Sequence, residues 1–125
     1  IMPRAIGEKV GWWDEDFFWY GEDLDFCYRL KNPPAGGGWK IVFIPWAKVL
    51  HFRGVASGIK GHSKEISTAS LETKIKSARA SVQAMRIFYK KHYQKKYPKI
   101  VDWLVFLTID LLEKWRVFKT SKENL

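Results

Sequence analysis

Paired cysteines and a long apolar run are both missing from this chain of 125 residues. The single cysteine, Cys27, excludes an internal disulfide framework and indicates a reducing compartment. The longest apolar stretch, near the end of the chain, is shorter than the ~20 residues that a membrane-spanning helix needs. Residues 1–11 lack the apolar core of a signal peptide. We therefore expect a cytoplasmic protein.

Acidic residues are scarce outside one segment. Seven of the 13 acidic residues lie between Glu8 and Asp25, whereas the segment from Arg86 to Lys99 has six Lys or Arg and no acid. An evenly spread net charge of +9 would favour nucleic acid or an anionic membrane as partner. An acidic segment and a basic tail on one chain indicate two different functions instead. Because no nucleic-acid motif is present and a cluster of six aromatic residues, at positions 12, 13 and 17–20, sits in the acidic segment, we expect no nucleic-acid partner.

Aromatic residues, in contrast, are abundant, with seven Trp, five Tyr and eight Phe. Their rings can fill a core, stack on sugars or lie at a membrane interface. Apolar residues make up 46% of the chain, which is enough for one ordinary domain or part of a larger one.

Short elements are predicted for the first half of the chain. Residues 24–31 are predicted to form a helix that the following Asn-Pro-Pro stops. Residues 40–45, a β-branched and aromatic run ended by proline, predict a buried strand, and residues 47–52 predict a second one. The Gly- and Ser-rich residues 54–66 predict a loop.

The pattern becomes helical from Ser67 onward. One predicted helix has an apolar face within roughly 140° and a basic outer face. That apolar face consists of Ile75, Ala78, Val82, Met85, Phe88, Tyr89 and Tyr93. A second helix, about residues 99–119, has a broad apolar arc that can lie in a membrane interface or pack on the protein or on a second copy, which would make a homo-oligomer. Spanning is disfavoured because Asp110 near its middle would cost roughly 2.5–3.5 kcal/mol.

The most informative segment runs from Val10 to Arg29 and reads VGWWDEDFFWYGEDLDFCYR; GGWKIVFIPWAKVLHFRG follows after a short gap. This pattern resembles family 2 glycosyltransferases of the rhamnosyltransferase and galactofuranosyltransferase kind, over about residues 5–58. The matching positions, in order, are Val10, Gly11, Asp14, Glu15, Phe17, Phe18, Gly21, Glu22, Asp23, Asp25, Arg29, Gly38, Trp39, Pro45 and His51.

The resemblance implies an α/β fold, namely part of a GT-A nucleotide-diphospho-sugar transferase domain with short strands and a short helix, followed by two long α-helices. Residues 1–60 would be the C-terminal, acceptor-side part of that domain, and residues 61–125 a helical, basic and amphipathic tail. The implied activity is inverting transfer of a sugar from a nucleotide-diphosphate donor to a hydroxyl of a glycan or lipid-linked acceptor, as in polysaccharide and cell-wall biosynthesis.

The resemblance assigns the general base to Asp23. An inverting transferase must deprotonate the acceptor hydroxyl as it attacks the anomeric carbon, and a poised carboxylate contributes typically ~10²–10⁴-fold. Without the family pattern, Glu22 and Asp23 would be interpreted as acids that complement the dipole of a helix. In an extended backbone Glu22 points away from Asp23, so we expect it to bind an acceptor hydroxyl or to orient the loop.

Three further residues are candidates. Trp13 and Tyr20 flank the acid motif and would stack on the acceptor, unless they belong to the core. His51 ends a predicted strand. In the resembling enzymes a histidine there helps to coordinate the divalent cation, Mn²⁺ or Mg²⁺, that neutralises the diphosphate leaving group. The alternative is an ordinary hydrogen-bonded histidine.

Asp25 and Arg29 are four positions apart and predict a structural ion pair on a helix. Asp14-x-Asp16 and Asp23-x-Asp25 have the spacing of the metal-binding Asp-x-Asp of nucleotide-sugar transferases. That motif follows a long buried strand, which neither copy does, so we reject both as the nucleotide–metal motif.

The family's first half, with its nucleotide-binding loop, has no counterpart in this sequence. The resemblance therefore implies that the missing N-terminal half binds most of the nucleotide sugar and that this chain alone is inactive. We expect contact with the inner face of the cell membrane through residues 86–118. The rival hypothesis is a non-catalytic membrane- or glycan-binding module in which Asp23 is only structural.

Overall fold

The computed structural model describes residues 1–34, 36–50, 55–57, 59 and 66–123. Within these ranges the chain forms four α-helices: α1 (Arg4–Val10), α2 (Glu22–Lys31), α3 (Leu71–His92) and α4 (Lys99–Lys122). α3 and α4 form an antiparallel hairpin. α2 runs parallel to α3 along its C-terminal half, since Gly21 lies at Ala84 and Asp25 lies at His92.

The predicted α/β fold of a partial GT-A domain is wrong, because the described residues contain helices and no strand. Residues 40–50, which cover the first predicted strand and part of the second, have no regular structure and are exposed, Phe43 by 86%. Residues 51 and 52 lie outside the described residues. A strand needs a neighbour that pairs its N–H and C=O groups. The β-branched composition predicted an extended backbone but could not supply that neighbour.

The predicted helices are confirmed with shifted ends. α2 begins at Glu22, two residues before the predicted start. α3 begins at Leu71 rather than near Ser67, because the side chain of Ser70 accepts a hydrogen bond from the backbone N–H of Thr73 at 3.2 Å and caps the helix. The division of the chain near residue 60 stays a prediction.

Polar pairs join α3 to α4. From the loop outwards they are Tyr89–Asp102, Arg86–Asp110, Gln83–Glu113 and Ser81–Arg116. The polar side of α4 therefore faces α3, with Ile109 as its buried apolar residue. Ala78 and Val82 of the apolar face predicted for α3 are buried, which confirms this part of the prediction, whereas Met85 of the same face is 49% exposed.

The opposite side of α4 is apolar and exposed, and we term it the α4 outer face. Its seven side chains are each at least 41% exposed and lie within about 120° of the helix circumference. They are Ile100, Trp103, Leu104, Leu107, Leu111, Trp115 and Phe118. Among the described residues, no helix has the length and apolar character required to cross a membrane.

Candidate functional site

The acid motif Glu22–Asp23 opens α2 directly after Gly21, where the backbone requires a glycine. Gly21 has a φ of 90°, a conformation that side chains with a Cβ rarely adopt. A Cβ at this position would lie 3.1 Å from the Cβ of Ala84 and 3.1 Å from the ring of Phe17. The glycine of the motif thus lets the first turn of α2 approach α3 closely.

Asp23 lies in this first turn and is exposed. Its Oδ1 accepts a hydrogen bond from the backbone N–H of Leu24 at 2.7 Å, which orients the carboxylate. An oriented and exposed carboxylate is suited to accept a proton from a bound hydroxyl.

Glu22 differs from Asp23 in its surroundings. The residue is half-buried, and its Oε2 is buried with no hydrogen-bond partner among the described residues. A buried carboxylate oxygen without a partner is costly, so native structures nearly always satisfy one. Because this oxygen is closed to solvent, a ligand hydroxyl reaches it only after the Glu22 side chain turns outward, and the acceptor-binding role of Glu22 stays a prediction.

Trp13 and Tyr20, the predicted stacking residues, lie on different sides of Asp23. The ring of Trp13 packs on Phe26 with centroids 4.7 Å apart, while Tyr20 lines a groove that Leu24 also lines. At about 100° per residue, Phe26 lies about 60° to one side of Asp23 and Leu24 about 100° to the other. Asp23 is therefore placed between the Trp13 ring and the groove.

The groove, which we term the α2–α4 groove, has a volume of about 700 Å³ and lies between the start of α2, α3 and α4. Its walls are mainly aliphatic and aromatic. The lining residues are Tyr20, Gly21, Leu24, Ser81, Ala84, Met85, Phe88, Tyr89, Tyr93, Leu104, Val105, Thr108, Ile109 and Leu112.

A buried polar cluster holds the next turn of α2 in place. Asp25 is fully buried and accepts a hydrogen bond from Arg29 Nε at 2.7 Å, which confirms the predicted pair. Its second oxygen lies 2.7 Å from Nε2 of His92 on α3. Arg29 also donates to the backbone carbonyls of Val10 at 2.5 Å and Trp12 at 2.6 Å. The cluster thus joins α2 to α3 and to the end of α1.

Lys91 fixes the loop that precedes α2. Its Nζ donates to Asp14 and, at 2.6 Å, contacts Asp16. Burial raises the pKa of Asp14, but the hydrogen bonds from Lys91 and from the backbone N–H of Asp16 outweigh it, so this pKa lies below its ordinary value of 3.8. Burial lowers the pKa of Lys91, and its bonds to Asp14 and Asp16 raise it by more, so that pKa lies above its ordinary value of 10.5.

In the part of the chain that the structure describes, no group of three His, Cys, Asp or Glu lies close enough together to hold a metal ion. His51, the predicted metal ligand, lies outside the described residues. The carboxylates of Asp14 and Asp16 contact Lys91 instead.

Sequence reasoning missed Lys91 and His92 as partners of the acidic segment. They contact Asp14 and Asp25 across 77 and 67 positions of the chain. Local spacing carries no signal for such contacts. The only sequence hint was the basic cluster between residues 86 and 99, whose charge complements the acidic segment.

Two curated proteins match part of the chain. Both are N-acetylglucosaminyl-diphospho-decaprenol L-rhamnosyltransferases of Mycobacterium tuberculosis, from strains CDC 1551 / Oshkosh and ATCC 25618 / H37Rv. Each is 36% identical over 58 residues, which make up 46% of this chain and 18% of the relative. The match thus spans about a fifth of the relatives' length. No family model and no solved structure matches the chain. The partial match confirms a relationship to a glycosyltransferase in a coarse sense.

Proposed function

We propose that this chain is the acceptor side of an inverting glycosyltransferase of the family 2 kind. The whole protein would move a sugar from a nucleotide-diphosphate donor to a hydroxyl of a glycan or lipid-linked acceptor. The name of the relatives describes an L-rhamnosyl group and an acceptor on decaprenyl diphosphate. A nucleotide-activated rhamnose and a prenyl-diphosphate-linked N-acetylglucosamine are therefore the first substrates to test.

The observation that supports this proposal best is the contrast between two adjacent carboxylates. Asp23 is exposed and oriented by the Leu24 N–H, whereas Glu22 has a buried oxygen without a partner among the described residues. In the proposed reaction Asp23 accepts the proton of the acceptor hydroxyl while the oxygen bonds to the anomeric carbon. The bond from that carbon to the diphosphate breaks, and its electron pair leaves with the nucleoside diphosphate.

The other proposed residues bind the acceptor. Glu22 turns its carboxylate outward and accepts a hydrogen bond from a second acceptor hydroxyl, which removes the cost of burying Oε2 without a partner. The rings of Trp13 and Tyr20 hold apolar faces of the acceptor on either side of Asp23. A divalent cation, Mn²⁺ or Mg²⁺, stays part of the proposal through His51. The described residues do not form a site that fits it, so we derive no step through the cation.

Replacement of the base tests this function. Asp23→Asn keeps the size and the hydrogen bond from Leu24 but removes the basic group. In the whole protein that contains this chain, we expect the rate of rhamnose transfer to fall by about 10²–10⁴. Glu15→Gln, an exposed carboxylate in the same acidic segment, is the matched control and should keep the full rate. If Asp23→Asn keeps both the transfer rate and the circular dichroism spectrum of the unmodified protein, Asp23 is not the base. This chain is then better described as a non-catalytic binding module.

Peripheral contact with the inner face of the cell membrane is proposed for residues 86–118. The α4 outer face provides the apolar surface, and the basic segment from Arg86 to Lys99 adds attraction to anionic lipids of about 1 kcal/mol per exposed cation. Cosedimentation with vesicles that contain anionic phospholipid tests the proposal. A Leu107→Glu and Leu111→Glu double variant should stay in the supernatant. A dimer in solution that covers this face would contradict it.

A further inference from the structure

We propose that the α2–α4 groove binds the hydrocarbon chain of a lipid-linked acceptor, with the chain on one side of Asp23 and the reacting sugar on the other. This inference rests on the proposed function and adds to it a separate binding site for the lipid. The ligand class is a long isoprenoid or similar hydrocarbon chain that ends in a phosphate-linked sugar.

The size and lining of the groove fit such a chain. Its volume of about 700 Å³ lies within the ~300–1,000 Å³ of ordinary ligand sites. Aliphatic and aromatic side chains such as Leu24, Met85, Phe88 and Leu112 form most of its walls. Each methylene group that leaves water for such a site contributes favourably to binding.

Three of the five hydroxyl-bearing side chains that line the groove already donate hydrogen bonds within the protein; Tyr20 and Tyr93 are the other two. The Tyr89 hydroxyl donates to Asp102 at 2.7 Å, and the hydroxyls of Thr108 and Ser81 donate to backbone carbonyls of their own helices. Burial and the bond to Asp102 raise the pKa of Tyr89 to about 12, so its hydroxyl keeps its proton and its donor role. A sugar, nucleotide or peptide in the groove would lose hydrogen bonds to water and gain few in return. A hydrocarbon chain loses none.

The position of the groove supplies the link to the acceptor and to the membrane. Leu24 lines it and directly follows Asp23 in the sequence, so a chain in the groove ends beside the proposed base. Leu104 belongs both to the groove lining and to the α4 outer face. The groove is therefore continuous with the exposed apolar surface, and a lipid can enter it from a bilayer on which α4 lies.

Titration of the full chain with geranylgeranyl diphosphate, with inorganic diphosphate as the chain-free comparison, tests this site. We expect binding of the isoprenoid compound and none of inorganic diphosphate. Thr108→Trp fills the groove from an exposed position on α4. It should weaken binding by at least about tenfold, since the loss of even one methylene contact costs roughly that factor. Arg79→Trp, at an exposed position of α3 outside the lining and outside the α4 outer face, is the matched control and should bind as the unmodified chain does.

Met85→Trp fills the same groove from α3, at a half-exposed position. With two independent variants, a folding defect in one of them does not decide whether the groove binds the isoprenoid chain. Native circular dichroism is required of every variant. Equal affinity in the two groove variants and in the Arg79→Trp control would overturn the proposal, as would the absence of isoprenoid binding by the unmodified chain.

A transfer assay separates this inference from the proposed function. With an acceptor that carries a prenyl chain, Thr108→Trp should raise KM at least about tenfold and leave kcat nearly unchanged; with a chain-free acceptor it should change neither. Equal KM values for the two acceptors in the unmodified enzyme would overturn the lipid site while transfer itself stands. Isoprenoid binding without any sugar transfer would overturn the proposed function and, with it, the acceptor role of the lipid.

Discussion

The contact of α2 with α3 and the contact of α4 with α3 use the same helix in different ways. At the first, Asp25 is fully buried between Arg29 and His92, and each of its oxygens has a partner. At the second, Arg86–Asp110 lies near the surface, with the Asp110 side chain 54% exposed, whereas the other three polar pairs are partly buried. Buried polar partners permit one arrangement only, because any other leaves a group unpaired. Exposed pairs contribute little and can be replaced by water.

The comparison explains how the two contacts serve the proposed site. The α2 contact fixes the first turn that carries Glu22 and Asp23, which a general base requires. The α4 contact combines partly buried polar pairs with the buried side chain of Ile109, and so holds one wall of the α2–α4 groove in place.

Removal of the buried carboxylate should have the largest effect on stability. Asp25→Ala leaves Arg29 and His92 without their shared partner, and breaking a buried ion pair from one side costs about 3–5 kcal/mol. Urea unfolding should show this decrease. Asp110→Ala at the α4 contact is the control and should cost at most about 1 kcal/mol. Equal decreases in the free energy of unfolding of the two variants would contradict the distinction between the two contacts.

Truncation of the buried apolar residue of α4 should have the next largest effect. Ile109 is 5% exposed, and Ile109→Ala should lower the free energy of unfolding by about 2–4 kcal/mol through lost contacts and a cavity. Leu111→Ala removes similar apolar volume from the outer face and should stay within about 0.5 kcal/mol of the unmodified chain. A large loss for Leu111→Ala in the monomer would show that the outer face is covered.

A Cβ added at Gly21, at the start of α2, should moderately destabilise the contact of α2 with α3. Gly21→Ala forces an alanine into a φ of 90° and brings its Cβ against Ala84 and Phe17. We expect a cost of about 1–3 kcal/mol from the backbone and the overlap. Gly37→Ala shares the positive φ but meets no atom within 4 Å, so the difference between the two variants isolates the packing part.

The pair of Asp14 and Lys91 should give the smallest effect, visible as a pH dependence. The pKa of Asp14 is lowered on folding, so its contribution is present above its unfolded pKa near 3.8 and is lost as pH falls through the folded pKa. The pKa of Lys91 is raised, so its contribution is present below 10.5 and is lost as pH rises through the folded pKa. Asp14→Asn should remove at most about 1 kcal/mol between these limits and flatten the acid side of the curve of stability against pH. An unchanged acid side would contradict this assignment.

The parts of the fold that depend on local spacing could be predicted from the sequence. The apolar period of α3 predicted its buried face, and the four-residue spacing of Asp25 and Arg29 predicted their ion pair. The strands at residues 40–45 and 47–52 could not be judged from composition, because a strand depends on a neighbour elsewhere in the chain. The polar side of α4 packs on α3 through acids that pair with cations and hydroxyls of α3, which a helical wheel of α4 alone does not reveal.

For the site, the sequence pattern identified the acid motif but not what holds it. Glycine, acids and aromatics in fixed order marked residues 10–29 as similar to a transferase motif. The partners Lys91 and His92 come from a distant helix, and their contacts depend on how α2 packs against α3. The groove arises from three helices that come together, so no single segment predicts it.

The adjacent positions of Lys91 and His92 have a consequence for insertions and deletions. Lys91 reaches the loop before α2, His92 reaches α2 itself, and Ala84 contacts Gly21 two turns earlier on the same helix. One added residue between Ala84 and Lys91 would rotate both basic residues by about 100° and shift them by about 1.5 Å relative to Ala84. Natural length variation should therefore avoid this stretch of α3 and concentrate in exposed connections such as residues 36–38 and 94–97.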